Sequence, residues 1–328
     1  MDINGAKILV TGGCGLIGSA TIDVLLARYS PARIVIIDNL VRGSLTNVEK
    51  SLADPRVELV RGDIRDVDAV RRVTEGMDAV IHMAALRITA CSADPREAMG
   101  VMADGSFNVV EAAQRAGVKR IVAASSASVY GLAESFPTTE EHHPYNNTTW
   151  YGACKVMLEG LLRSYHDMYG LPYVAMRYFN VYGERMDIHG KYTEVLVRWM
   201  ERIDAGQPPL ILGNGLQTMD FVYIQDVALA NVLALASDAT DEVFNVASGT
   251  ETNLIQLATT LVKIMGSDLE PVYGPERQVN KVSRRLADTE KAARLLGFRA
   301  TIGLEEGLTR LVDWWRAQRT REQAVASS

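Results

Sequence analysis

Cysteine is scarce in this chain: three residues in 328, at positions 14, 91 and 154. An odd count with wide gaps gives neither a disulfide framework nor a metal-ligand spacing. Long apolar runs are missing too; the hydrophobic stretches are strand-sized, short of the roughly 18 residues that read as a membrane helix. Positive charge is in deficit, with 34 Lys and Arg against 40 Asp and Glu, a net charge of −6 and a pI near 5.5. That balance offers no footprint for nucleic acid or for an anionic lipid surface. Repeats and low-complexity tracts are absent. Met1 to Lys7 leads directly into an apolar strand pattern and leaves no room for a secretory leader. A reduced, cytoplasmic protein without metal, nucleic-acid or membrane partners is the expectation.

What is present has ordinary globular composition, 48% hydrophobic and 23% charged, in a length that suits one large or two modest domains. Its order is more informative. Lys7 to Thr11 reads as a buried strand, followed by Gly12-Gly13-Cys14-Gly15-Leu16-Ile17-Gly18 and an apolar helix. Glycines at this spacing permit a tight turn and let backbone approach a pyrophosphate at a helix N-terminus. A second strand, Arg33 to Ile37, ends in Asp38, 20 residues after Gly18. An acid at that distance accepts from a ribose 2′-hydroxyl and repels a 2′-phosphate, which points to NAD rather than NADP. Arg42 is a charge that argues the other way, read here as a loop residue.

Strands and helices continue to alternate. Strands fall near Val57–Arg61, Asp78–Met83, Arg120–Ala124 and Pro172–Tyr178, with a long helix around Pro95–Ala116. That alternation predicts an α/β fold with a parallel, doubly wound sheet, whose ligands sit outside the carboxyl ends of the strands. Phe221–Ile224 and Val243–Val246 read as short strands returning to the main sheet. The expected division is a Rossmann domain over 1–181, rejoined by 219–248. A smaller α/β substrate domain takes 182–218 and 249–320, and 321–328 is a frayed tail. Amphipathic helices are expected over Asn253–Met265 and Leu304–Trp315.

Tyr151 and Lys155 stand four residues apart within Trp150-Tyr151-Gly152-Ala153-Cys154-Lys155, on one face of a helix. An ammonium beside a phenol favours the phenolate, and a phenolate near the working pH is a general base for a hydroxyl proton. Ser126 lies upstream at the end of a strand, in Ser125-Ser126-Ala127-Ser128-Val129-Tyr130-Gly131. His82 reads as a strand-end support, His142 and His143 as solvated loop residues, and Cys154 as a packing residue.

With these motifs in view, the chain resembles the extended short-chain dehydrogenase/reductase family, specifically its NAD-dependent nucleotide-sugar epimerases of the UDP-sugar 4-epimerase kind. The likeness spans nearly the whole chain and includes Asp38-Asn39-Leu40, Gly62-Asp63-Ile64, His82-Met83-Ala84-Ala85 and Arg177-Tyr178-Phe179-Asn180. It implies NAD held by Gly12, Gly15, Leu16, Ile17, Gly18, Asp38, Asn39, Asp63, Ile64, Ala84, Ala85, Tyr151, Lys155 and Tyr178. Ser126, Tyr151 and Lys155 would be catalytic. Arg87, Ser126, Asn180, Arg185, Thr193, Arg284 and Arg285 would meet a nucleotide sugar, taken as UDP-linked. A homodimer is implied, joined by the Pro95–Ala116 and Tyr151 helices.

The resemblance also narrows the reaction. Members that eliminate water carry Asp-Glu after the catalytic Ser or Thr, and decarboxylases keep the Glu; here those positions are Ala127 and Ser128. A UDP-sugar 4-epimerase, an isomerase that oxidises C4 and reduces it on the opposite face, is the leading reading. A net NAD(H)-consuming dehydrogenase or ketoreductase, and a non-catalytic NAD sensor, are the alternatives. Met219-Asp220 replaces the usual Arg-Asp, so Arg284 and Arg285 are the expected grip on the diphosphate. Arg285 also matches a position that gates the sugar's C2 substituent in related 4-epimerases. A bulky charge there disfavours N-acetylhexosamines and leaves the glucose/galactose and glucuronate/galacturonate pairs open. Trp150 and Met102 depart from the family pattern as well.

Overall fold

The computed structural model describes residues 1–188, 194–276 and 282–326. Among the described residues the strands form three sheets. In chain order they are β1 (Lys7–Thr11), β2 (Arg33–Asp38), β3 (Val57–Arg61), β4 (Ala79–His82), β5 (Arg120–Ser126) and β6 (Tyr173–Tyr178). Then come β7 (Asn180–Tyr182), β8 (Leu210–Leu212), β9 (Thr218–Tyr223), β10 (Glu242–Val246), β11 (Glu251–Asn253) and β12 (Val272–Gly274). The main sheet is parallel throughout, in the order β10-β6-β5-β4-β1-β2-β3.

The strand sequences explain this arrangement. Side chains alternate across a strand, so a strand covered on both faces must be apolar at successive positions. Ile8, Val10, Ile34, Ile36, Val122 and Val174 enter one core layer; Leu9, Val35, Ile37, Ile121, Ala123 and Tyr173 enter the other. Helices Leu16–Arg28 and Ile224–Ala236 cover the first layer, supplying Ile22, Leu25, Val227 and Ala230. Val67–Thr74, Ser106–Arg115 and Trp150–Tyr169 cover the second, supplying Val70, Val109, Leu158 and Leu162. Full burial of each Val, Leu or Ile among them stabilises the fold by roughly 1.5–3 kcal/mol. A third core, with Trp199, Met200, Tyr182, Leu257, Leu311 and Trp315, sits under the smaller sheets. No helix among the described residues is long and apolar enough to cross a membrane.

Three elements differ from the sequence expectation. Only β10 joins the main sheet; β9 pairs with β7 in parallel and with β11 antiparallel in a separate sheet. The half-buried pattern of Thr218–Tyr223, with three of its six residues only partly covered, suits that peripheral sheet better than the two-sided main one. The helix expected around 95–116 is broken into Pro95–Ala98, a π-helical stretch Met99–Gly105, and Ser106–Arg115. Gly105 lies within this stretch, where an added Cβ would stand 2.8 Å from the Ile64 side chain. The helix expected over 304–315 runs on to Ala326, into the stretch expected to fray.

Candidate active site

The carboxyl ends of β1, β4, β5 and β6 lie side by side, with Thr11 opposite His82, His82 opposite Ala123, and Ser126 opposite Tyr178. Above them opens a cavity of about 1530 Å³. A pocket for one drug-sized ligand takes roughly 300–1,000 Å³, so this cleft has room for two ligands end to end. Every predicted site residue lines it except Arg284 and Thr193. Thr193 lies outside the described residues.

The glycine loop forms one wall. Gly12 has φ of +67°, and a Cβ there would stand 2.7 Å from the Ala84 backbone. On Gly18 a Cβ would stand 2.5 Å from the Gly12 carbonyl oxygen. Only glycine lets the helix Leu16–Arg28 begin this close to β1 and expose bare backbone to a ligand. Asp38 is buried at the end of β2, accepting from the Cys14 and Leu40 amides at 2.9 and 2.8 Å. Asp63 accepts from Asn39 at 2.9 Å and from Arg65, whose hydrogen bonds hold its carboxyl well below the usual range. A bare glycine turn flanked by two fixed carboxylates fits the pyrophosphate and adenosine of NAD.

Beneath this wall His82 is buried between Thr11 and Ser106. Thr11 Oγ1 accepts from the Ala84 amide at 3.2 Å and shares a hydrogen bond with His82 Nδ1 at 2.7 Å. His82 Nε2 shares a second hydrogen bond with Ser106 Oγ at 3.1 Å. Burial, with help from the Lys155 charge, pushes the imidazole pKa down to about 3 and keeps it neutral.

The opposite wall carries the reactive groups. Thr149 caps the helix Trp150–Tyr169, its Oγ1 accepting from the Gly152 amide at 3.1 Å. A Cβ on Gly152 would stand 2.6 Å from the Ser128 carbonyl, so glycine lets the helix start press against the Ser126 loop. That contact brings Tyr151 to Ser126, whose hydroxyl lies close enough to favour the phenolate. Burial raises the Tyr151 pKa, while Ser126, Arg42 and Arg285 pull it down. The Lys155 ammonium stands 5.7 Å from the ring centroid and donates to the Ala124 carbonyl at 2.5 Å; burial lowers its pKa to about 8.

The remaining site residues divide. Arg87 reaches Glu194 at 3.4 Å, and Asn180 donates to the Asp220 carbonyl at 3.1 Å. Tyr178 presents its ring to the cavity and turns its hydroxyl inward to Asn231 at 2.7 Å. Arg185, at φ +70°, pairs with Asp23 at 2.5 Å, and its Nη1 is buried without a hydrogen-bond partner. Arg285 is buried on the cavity wall, whereas Arg284 faces outward, paired with Glu251 at 2.7 Å and stacked on Phe136. Met102, in the π-helical stretch, accepts the Leu86 amide through its sulfur at 3.1 Å, which accounts for a thioether at that position. Arg42, read from the sequence as a loop charge, belongs to the site. It lines the cavity within electrostatic reach of Tyr151, and its place in the loop after β2 was the available signal.

Residues 8–247 match the NAD dependent epimerase/dehydratase family. The chain is 34% identical to the UDP-glucose 4-epimerase of Mycolicibacterium smegmatis over 313 residues, covering 94% of this chain and 98% of the relative. The structure of a UDP-N-acetylglucosamine 4-epimerase from Methanobrevibacter ruminantium, in complex with UDP-N-acetylmuramic acid, superposes with a TM-score of 0.90 at 31% identity, covering 96% and 99% of the two chains. A UDP-glucuronic acid 4-epimerase from Bacillus cereus, in complex with UDP-glucuronic acid and NAD, gives 0.87 at 27%, covering 95% and 99%. Four different sugars are thus named among proteins of similar likeness. The glycine loop, the Tyr151–Ser126 pair and these matches together place the chain in the NAD dependent epimerase/dehydratase family.

Proposed function

We propose that the protein is a UDP-sugar 4-epimerase using NAD, acting on the glucose/galactose or glucuronate/galacturonate pair. The observation that carries this reading is the meeting of Tyr151 and Ser126 at the end of β5, with Ala127 and Ser128 as the next residues. Neither offers a carboxyl group for removing water or supporting decarboxylation at the ring. Tyr151 takes the proton of the C4 hydroxyl and later returns one, while Ser126 holds the same oxygen. Burial holds the Tyr151 pKa above its ordinary value, and Ser126 with the charges of Arg42 and Arg285 pulls it part of the way back. Lys155, fixed on the Ala124 carbonyl, is set to hold a ribose hydroxyl of the cofactor. NAD, when bound, supplies the hydride acceptor at C4 and then the donor for the opposite face. Purified protein incubated with UDP-glucose and UDP-glucuronate tests the reading. Formation of the C4 epimer without net NADH is expected; NADH accumulating with product, or no product, overturns it.

A homodimer belongs to the same proposal. Phe107, Met157, Met168 and Tyr169 are exposed on the helices Ser106–Arg115 and Trp150–Tyr169, with Phe107 packed edge-on against Tyr165. Two copies of this face bury each other's apolar surface in a four-helix arrangement. A monomer in sedimentation at micromolar concentration would contradict it.

A further inference from the structure

The arginines of the cleft differ in how their charge is balanced. Arg185 pairs with Asp23 and Arg87 with Glu194. Arg285 is 8% exposed, and no carboxylate among the described residues pairs with it; its Nη1 donates to the Ala127 carbonyl at 2.5 Å. A buried guanidinium without an anion is costly, so a fold that holds one in a ligand cleft is matched to an anion brought by the ligand.

The fold fixes this side chain from behind. The Arg285 amide donates to the Thr218 carbonyl at 2.9 Å. Two residues on, the Ala287 amide donates to buried Asp220, whose carboxylate also accepts the Ser248 amide and hydroxyl and the Gly249 amide. Asp220 thus ties β9 to the loop after β10 and to the Arg285 segment. The guanidinium is therefore delivered to one place, the backbone of the residue after Ser126, within electrostatic reach of Tyr151.

That place decides which anion it meets. Ser126 and Tyr151 mark the reacting C4 carbon, so a group at Arg285 belongs to the sugar ring and not to the distant diphosphate. On a hexose the anion nearest C4 is a carboxylate at C6, carried by the adjacent C5. We infer that Arg285 is the receptor for a ring carboxylate, which makes UDP-uronates the preferred substrates over neutral and N-acetylated UDP-hexoses. This rests on the epimerase reading above and narrows it.

Calorimetry on the NAD-loaded enzyme separates the two claims. Dissociation constants for UDP-glucuronate, UDP-glucose and UDP-N-acetylglucosamine are measured for wild type, Arg285→Gln and Arg285→Lys, each checked for folding by its thermal transition. The wild type is expected to bind UDP-glucuronate tightest. Removing one partner of a buried charge pair lowers affinity by roughly 30-fold or more, so the uronate-to-glucose ratio collapses in Arg285→Gln. Arg285→Lys keeps part of the preference, having charge without the fork. Equal or tighter wild-type binding of UDP-glucose overturns the inference, as does a ratio unmoved in a folded variant. If Arg285→Gln does not fold, the wild-type order and Arg285→Lys decide. Preference for the uronate without any C4 epimer would sink the epimerase reading and leave the carboxylate receptor standing; epimers with an unmoved ratio would do the reverse.

Discussion

On the cofactor side of the cleft the ligand surface is backbone, and the few side chains involved come from within a short stretch after each strand. Gly12, Gly15 and Gly18 follow β1, Asp38 ends β2, and Asp63 follows β3. On the sugar side the surface is side chain, gathered from the end of β5, the Tyr151 helix, β7 and the segment around Arg285. A surface made of local turns is fixed by spacing along the chain. A surface made of converging side chains is fixed by tertiary pairing, and two neighbours in sequence can end on opposite sides of a wall.

Breaking the seam between the two sides should have the largest effect. Tyr151→Phe keeps the ring that packs near Cys91 and Met102 but removes the group that accepts the proton. Loss of a general base costs about 10²–10⁴ in rate. NAD binding and the thermal transition should be nearly unchanged, because the cofactor wall does not depend on that hydroxyl. Near-full turnover would show that the proton goes elsewhere.

A buried neutral histidine under the cofactor wall should be felt next, in stability against pH. His82 titrates at about 3 when folded, against an ordinary 6.5. The unfolded chain therefore binds more protons between those values. The contribution is fully present above pH 6.5 and is lost as pH falls toward 3, at most on the order of 5 kcal/mol for that gap. His82→Gln removes the titration, so its melting temperature should fall less than that of the wild type between pH 7 and pH 4. Parallel declines would mean that His82 does not close this wall to protons.

Cofactor choice tests whether the local side is as self-contained as its geometry. Asp38→Ala loses the loop bonds to Cys14 and Leu40, so both NAD and NADP should bind more weakly. The repulsion of a 2′-phosphate is also lost, and the preference for NAD should shrink by roughly tenfold, about 1.4 kcal/mol. Wild-type affinities that are equal for the two cofactors would contradict the role given to Asp38.

The same division decides how far the sequence could be read. The main sheet followed from apolar runs that leave no choice of face, and the glycine loop followed from spacing alone. β9 was misassigned to the main sheet because a six-residue strand carries no mark of which partner it joins; pairing with β7 and β11 is a long-range outcome. The π-helical stretch at Met99–Gly105 was invisible for a similar reason, since periodicity does not report a register shift of one residue. Arg42 was read as a loop charge although its loop follows a strand end, the same rule that located its neighbours.

Arg284 and Arg285 carry the smallest expected effect and the sharpest contrast. Adjacent in sequence and identical in chemistry, both suit an anionic ligand when read from the chain alone. The backbone here is extended, bridging at Arg284 to Thr218, so consecutive side chains point to opposite faces. Arg284 meets Glu251 with two hydrogen bonds of 2.7 and 2.8 Å and lies over the Phe136 ring at the surface. Exposed pairs of this kind contribute little, because water and salt screen them and both side chains give up freedom to meet. Arg284→Ala should therefore change kcat/KM by less than about threefold, and the change should fade further at high salt. A loss as large as that of Arg285→Gln would mean that the outer guanidinium turns inward during turnover, and the division between a locally fixed wall and a tertiary one would then need a moving part.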